Sequence, residues 1–274
     1  MPIDVHEKSR RFVALHERPG AFVIPNPWDA GSARLLAGLG YEALATSSGA
    51  CAGTFGRRDG RVSREEAIAH AKAVVDAVDL PVAADLENGF GDSPEDAAAT
   101  IRAAGTVGLV GGSIEDSSGN PAKPIYDADH ALRRVEAAIA AAKALPFKFV
   151  LTARAENFIR GNPDLDDTIR RLKAYEKAGA DVLFAPGLPD IAAIRQVCAS
   201  LERPFNFMVG IKGRSFTVAD LAGAGVKRIS LASSLYRAAM TGLLEAAREV
   251  KDRGTFGYLD GSVPTADFNA LLGA

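Results

Sequence analysis

What most restricts the fold of this chain is alternation. Short apolar runs recur at residues 21–25, 42–46, 81–85, 109–114, 148–153, 181–185, 204–209 and 227–232. Each is only about 5–6 residues long and lacks polar alternation, the pattern of strands buried on both faces in a parallel sheet. Segments with helical start signals lie between them. Ser63-Arg-Glu-Glu66 reads as a capping box ahead of Ile68, Ala71, Val75 and Val78 at helical spacing. Ser93-Pro94 places a cap before a proline at the first helical position, and Thr217-Val-Ala-Asp220 is a third such start. Gly40, Gly179 and Gly225 close helical stretches in the manner of left-handed caps.

Eight strands alternating with helices predict an α/β protein, a (β/α)8 TIM barrel, over a doubly wound sheet. No GxGxxG follows the first run, which also weighs against a dinucleotide fold. Residues 4–17 predict an extra N-terminal helix, the barrel core spans about 20–252 and a tail covers 253–274. That tail carries Phe268, Leu271 and Leu272 and must cover its own barrel or a neighbour's. With no linker or low-complexity stretch, residues 1–274 are expected to form a single domain.

Charge and cysteine content exclude several classes. Lys+Arg number 32 against 34 Asp+Glu, so no basic footprint for nucleic acid is present. No apolar run approaches the roughly 18–20 residues of a membrane span. The opening residues are charged throughout, unlike a signal peptide. Two cysteines, Cys51 and Cys198, make neither a disulfide framework nor a zinc ribbon. The expectation is a cytoplasmic enzyme or binding protein with neither a nucleic-acid nor a membrane partner.

Barrel enzymes place their chemistry at the C-terminal strand ends. There this sequence offers Asp59, Asp85, Glu87 and Glu115, aimed from three neighbouring strand ends at one mouth. Carboxylates so close repel unless a cation sits among them, and hard oxygen donors suit Mg²⁺ or Mn²⁺. Asp85 and Glu87, two residues apart at a strand end, are expected on one face. Arg154 ends the fifth run, where a guanidinium suits bidentate capture of a substrate carboxylate or a salt bridge to Glu156 or Glu115. The Ser47-Ser48-Gly49 turn offers backbone N–H groups to an anionic oxygen. Asn206 lies near the end of the seventh run. His6, His16, His70 and His130 all fall on helical segments, so a histidine base or ligand is not expected. Cys198 reads as core, and Ser233-Ser234 as a helix cap.

The motifs NPWDAGSA, GRRDGRVSREE, ADLENGFG, GGSIED, LTARAENF and ADVLFAPG together resemble the isocitrate lyase / phosphoenolpyruvate mutase superfamily. The nearest likeness is to its carboxyvinyl-carboxyphosphonate phosphorylmutase-like members. That resemblance implies a barrel binding Mg²⁺ and a small 2-oxo acid or its enolate. It makes Asp85 the direct metal ligand, with Asp59, Glu87 and Glu115 holding metal-bound waters. Ser47, Ser48 and Gly49 would bind the substrate's carboxylate or phosphonate end, Arg154 would anchor it, and Asn206 would complete the pocket. It also implies a homo-oligomer, dimer or tetramer, with C-terminal helices swapped between subunits.

One loop departs from the family. Its lyases carry a Lys-Lys/Arg-Cys-Gly-His motif after strand four, whereas Glu115–Tyr126 here has neither cysteine nor histidine. Pro186-Gly187 stands where mutase members carry a histidine. Glu115, Lys123 and Tyr126 are the remaining candidates for proton transfer. The leading expectation is a Mg²⁺-dependent carbon–carbon lyase acting on a small 2-oxo or 2-hydroxy dicarboxylate. The alternatives are a phosphonomutase or phosphonopyruvate hydrolase, and a catalytically weak 2-oxo-acid binding protein.

Overall fold

The computed structural model describes residues 3–214 and 216–272. The two residues at each end of the expected domain 1–274, and so the last two of the tail 253–274, lie outside the described residues. In chain order the elements are α1 (Val5–Glu17), β1 (Phe22–Ile24), α2 (Ala30–Gly38), β2 (Leu44–Ala45), α3 (Ser48–Thr54) and α4 (Arg64–Ala77). Then come β3 (Val82–Asp85), α5 (Pro94–Thr106), β4 (Gly111–Glu115), α6 (Ala128–Lys143), β5 (Val150–Arg154) and α7 (Leu165–Ala178). The last are β6 (Val182–Phe184), α8 (Ile191–Ala199), β7 (Phe205–Met208), α9 (Val218–Gly223), β8 (Arg228–Ser230), α10 (Ser234–Arg253) and, after a 3₁₀ turn at Gly257–Gly261, α11 (Thr265–Leu272).

All eight strands are parallel, in the order β1-β8-β7-β6-β5-β4-β3-β2. The Ala45 N–H donates to the Pro25 carbonyl at 3.1 Å across the remaining seam. The sheet is therefore a nearly closed (β/α)8 barrel. Each apolar run holds one strand, β4 and β5 continuing one residue past their runs to Glu115 and Arg154, and the capping boxes form at Ser63/Glu66, Ser93/Asp96 and Thr217/Asp220. Gly179 ends α7 at φ +112°, a conformation open to glycine at little cost.

Helix α3 is the element the sequence did not announce. Its residues, SGACAGT, are small and show no apolar period, so the stretch read as a turn.

Two apolar clusters divide the interior. The larger packs the helices onto the outside of the barrel through residues such as Ile101, Leu151, Ile194 and Ile229. The smaller closes the barrel's N-terminal end. There α1 inserts Phe12 and Leu15 among Phe22, Ile24, Val150 and Val182. Burying the Phe12 ring contributes about 2–3 kcal/mol. The close fit needs Gly111, because a Cβ there would lie 2.7 Å from the Phe12 ring and 2.9 Å from the Val150 carbonyl oxygen.

At the other extremity, α11 rests on α2 of its own chain, the Leu271 carbonyl lying against Gly38. Helix α10 buries none of its residues, leaving Leu243, Leu244 and Val250 exposed.

Candidate active site

The C-terminal strand ends open into a cavity of about 1000 Å³. Asp59, Asp85, Glu87, Glu115 and Glu156 line it together with the guanidiniums of Arg154 and Arg160. Ser47, Ser48 and Gly49 contribute to the same wall. The structure thus gathers most of the expected site residues at one place.

Asp85 is the hub. Its Oδ1 accepts from Arg154 Nη1 at 2.9 Å and from the Glu87 N–H at 3.2 Å. Its Oδ2 accepts from the Ser48 N–H, the first residue of α3, at 3.3 Å. So the expected turn is a helix start, and its backbone donor already serves Asp85. Burial works against the Asp85 charge, but Arg154 and these N–H donors outweigh it and hold its pKa below the usual carboxylate range.

Glu87 reaches the cavity by a route other than the one expected. The strand ends at Asp85, Leu86 turns into the core, and Glu87 adopts φ +48°. Two-residue strand alternation therefore does not put Asp85 and Glu87 on one face; a left-handed turn, at a cost of about 1 kcal/mol, aims Glu87 instead. Burial, then the charges of Asp85 and Asp59, push its pKa up to about 7.

Glu115 is buried, accepting from Arg154 Nη2 at 3.0 Å and Arg160 Nη2 at 3.1 Å. Burial and the neighbouring Glu156 raise its pKa. Arg154 donates to Asp85, Glu115 and Glu156, and its guanidinium lies 4.8 Å from the Phe184 ring centre. Its hydrogen-bonding edge is thus taken up by carboxylates of its own chain.

Three expected residues lie elsewhere. Asn206 is one layer deeper inside the barrel, donating to Ser230 Oγ at 3.0 Å and accepting from Arg228 Nε at 2.8 Å. Lys123 is exposed and pairs with Asp127 at 2.6 Å. Tyr126 buries its hydroxyl against Asp92 Oδ1 at 2.5 Å, and burial pushes its pKa up to about 12. Neither Lys123 nor Tyr126 lines the cavity. The loop between Glu115 and Tyr126 folds on itself through an antiparallel bridge of Ser117 with Ile125.

Glu156 and Arg160 complete the cluster. The sequence marked Glu156 only as an ion-pair partner. Arg160 carried no signal, because it sits beyond the strand end in a turn.

Hard oxygen donors without imidazole or thiolate are the donor set of a hydrated divalent cation. Among the described residues, no three His, Cys, Asp or Glu side chains form a closed cage for direct metal binding. Such a set fits an ion held by one or two carboxylates and otherwise by water. Arg61 and Arg237 line the same cavity and form no ion pair among the described residues.

A nearly closed parallel barrel with an acidic cluster at its C-terminal mouth defines a class of barrel enzymes. Comparison with known proteins gives the family. The phosphoenolpyruvate phosphomutase family model matches residues 12–251, and the chain belongs to this phosphoenolpyruvate mutase/isocitrate lyase family of lyases and mutases. It is similar to a Burkholderia cenocepacia J2315 protein provisionally described as a lyase/mutase, with 49% identity and a TM-score of 0.96 over 98% of this chain and 97% of that one. The 2-methylisocitrate lyase of Escherichia coli (strain K12) is 29% identical over 86% of this chain and 82% of its own length. The crystal structure of a 2,3-dimethylmalate lyase superposes with a TM-score of 0.86 at 26% identity, covering 97% and 95% of the two chains. No described helix is long and apolar enough to cross a membrane.

Proposed function

We propose that this protein is a divalent-metal-dependent carbon–carbon lyase acting on a small 2-oxo or 2-hydroxy dicarboxylate. The observation that carries the reading is the acidic cluster Asp59, Asp85, Glu87 and Glu115 around Arg154 at the barrel mouth. The 2-methylisocitrate and 2,3-dimethylmalate lyases, whose names denote carboxylate substrates, support it.

Asp85 is the residue placed to hold Mg²⁺ or Mn²⁺ directly, and Asp59, Glu87 and Glu115 to orient its waters. When bound, such an ion supplies stabilisation of negative charge developing on a substrate oxygen. The protein's own groups do the rest. Arg154 fixes the orientation of Asp85 and Glu115 through its paired N–H groups. At the start of α3 the Ser48 N–H serves Asp85, and the Ser47 and Gly49 N–H groups are the backbone donors for a substrate carboxylate beside it. Arg61 and Arg237, which form no ion pair among the described residues, would meet the second carboxylate, which suits a dicarboxylate. Glu115, whose pKa is raised by burial and by Glu156, is the group assigned to proton transfer.

The test is pyruvate or 2-oxo-acid release from oxaloacetate, 2-methylisocitrate and phosphonopyruvate, with Mg²⁺ or EDTA. Protein- and Mg²⁺-dependent release from a carbon substrate above the metal-only blank is expected. Release from phosphonopyruvate alone would replace the carbon–carbon reading with carbon–phosphorus chemistry. Binding of these acids without turnover would instead support a binding protein.

The exposed apolar residues of α10 support a homo-oligomer in which a second copy covers that helix. Light scattering of the full chain checks it, a monomer contradicting it.

A further inference from the structure

Of the two arginines buried on barrel strands, Arg154 and Arg228, the second has no counter-charge among the described residues. Arg228 begins β8 and is buried, and among the described residues it forms no ion pair. Its Nε donates to Asn206 Oδ1 at 2.8 Å and its Nη2 to Thr152 Oγ1 at 2.9 Å. Its Nη1 faces His16 Nε2 at 3.4 Å. His16 Nδ1 lies 2.8 Å from the Phe12 carbonyl, so the proton belongs on Nδ1 and Nε2 offers a lone pair to the arginine. All three partners are neutral. A guanidinium has five N–H donors, so two are left over.

Directly above lies a small cavity in the barrel interior. It has a volume of about 70 Å³ and is lined by Arg228, Thr152, Asn206, Ser113 and Ser230, with Asp85 and Arg154 forming its upper end. By the same measure a water needs roughly 10–15 Å³, so the space holds a halide or a carboxylate group with some water, but no whole dicarboxylate. Its one acidic lining residue, Asp85, is already engaged by Arg154. Burial lowers the Arg228 pKa to about 9, which still leaves it charged at neutral pH. A buried charge is normally paired, because the desolvation it suffers is not recovered from neutral hydrogen bonds alone.

We propose that this interior cavity binds one small monovalent anion, a halide or a single carboxylate group, with Arg228 as its counter-charge. The spare N–H groups of Arg228 and the hydroxyls of Ser113 and Ser230 supply the donors. The site lies beneath the acidic mouth, meets it at Asp85 and Arg154, and takes its positive charge from Arg228. It does not depend on the lyase reading.

The experiment is thermal unfolding of the full chain at constant ionic strength, exchanging sodium gluconate, whose six-carbon chain exceeds the cavity, for sodium bromide or sodium formate. A saturable rise in Tm is expected, about 3–6 °C at a tenfold excess over Kd. The Arg228→Met variant should show no such rise. Since that variant can fail to fold, wild-type crystals grown in bromide give a second readout, an anomalous peak beside the Arg228 guanidinium. A response to bromide identifies a halide site, and a response to formate alone identifies a carboxylate site. A Tm equal in all three salts, with no anomalous peak at Arg228, overturns the proposal.

Discussion

Of the buried arginines, two, Arg154 and Arg228, stand on barrel strands, and their surroundings are opposite. Arg154, at the mouth, is held by three carboxylates, whereas Arg228, one layer deeper, has only neutral partners. The carboxylates overcome burial and raise the Arg154 pKa, while burial alone lowers that of Arg228. The contrast separates two kinds of charge imbalance. At the mouth, the seven lining carboxylates Asp59, Glu65, Asp85, Glu87, Asp96, Glu115 and Glu156 outnumber the five arginines Arg61, Arg64, Arg154, Arg160 and Arg237, an arrangement that draws a cation. In the layer beneath, the imbalance is positive and small.

The largest effect expected is on the acidic side. Asp85→Ala removes the hub that joins Arg154, Glu87 and the start of α3. Mg²⁺-dependent turnover should fall by about 10³-fold or more, and calorimetry should show Mg²⁺-dependent ligand binding abolished. Undiminished Mg²⁺-dependent binding by this variant would remove the metal assignment and leave the mouth as a purely structural charge cluster.

Stability tests the two arginines directly. Arg154→Met leaves Asp85 with no cationic partner among the described residues and Glu115 and Glu156 with Arg160 alone, and should cost about 3–5 kcal/mol in denaturant unfolding. Arg228→Met strands no charge and leaves the Asn206, Thr152 and His16 acceptors unmet, so about 1–2 kcal/mol is expected. Equal losses would break the comparison, because they would mean that Arg228 is as tightly compensated as Arg154.

The acid limb of stability reports on the layer under Arg228. Burial, then the Arg228 charge, push the His16 pKa down to about 3 from its ordinary 6.5. The unfolded chain therefore takes up a proton at this residue before the folded one does. Stability from neutral His16 is fully present above pH 6.5 and is lost as pH falls from there toward 3. At pH 5 the loss is about 2 kcal/mol relative to neutral pH. His16→Gln keeps an acceptor for Arg228 without titrating, so its stability should decline less between pH 7 and pH 4. Parallel urea-unfolding curves for variant and wild type over that range would show that His16 carries none of the acid sensitivity.

The same contrast explains what could be read in the sequence. The eight strands and the capped helices α4, α5 and α9 were legible because period and capping chemistry are local. The acidic mouth was legible because charges at strand ends stand out against apolar runs. Glu87 lines the cavity, but by a geometry other than the one expected, since nothing local shows that the strand stops at Asp85. The deeper layer was silent. Lys227 and Arg228 are adjacent basic residues, yet Lys227 reaches the carbonyl of Gly20 at the surface while Arg228 points inward. Only the two-residue alternation of β8 separates them, and its phase is set by packing on β1 and β7.

The smallest effect concerns the loop after β4, where sequence and geometry part most clearly. Lys123 stood out as a proton carrier because the loop has no cysteine or histidine, yet it pairs with Asp127 at an exposed site away from the cavity. Exposed pairs of this kind contribute less than about 1 kcal/mol. Lys123→Ala should therefore change stability by about 0.5 kcal/mol or less and leave turnover within about threefold. A tenfold loss of kcat with unchanged stability would mean that the Ser117–Ile125 hairpin refolds over the mouth during the reaction and carries Lys123 with it. In that event the acidic mouth is only half of the site, and its proton donor comes from a segment that the resting structure holds outside it.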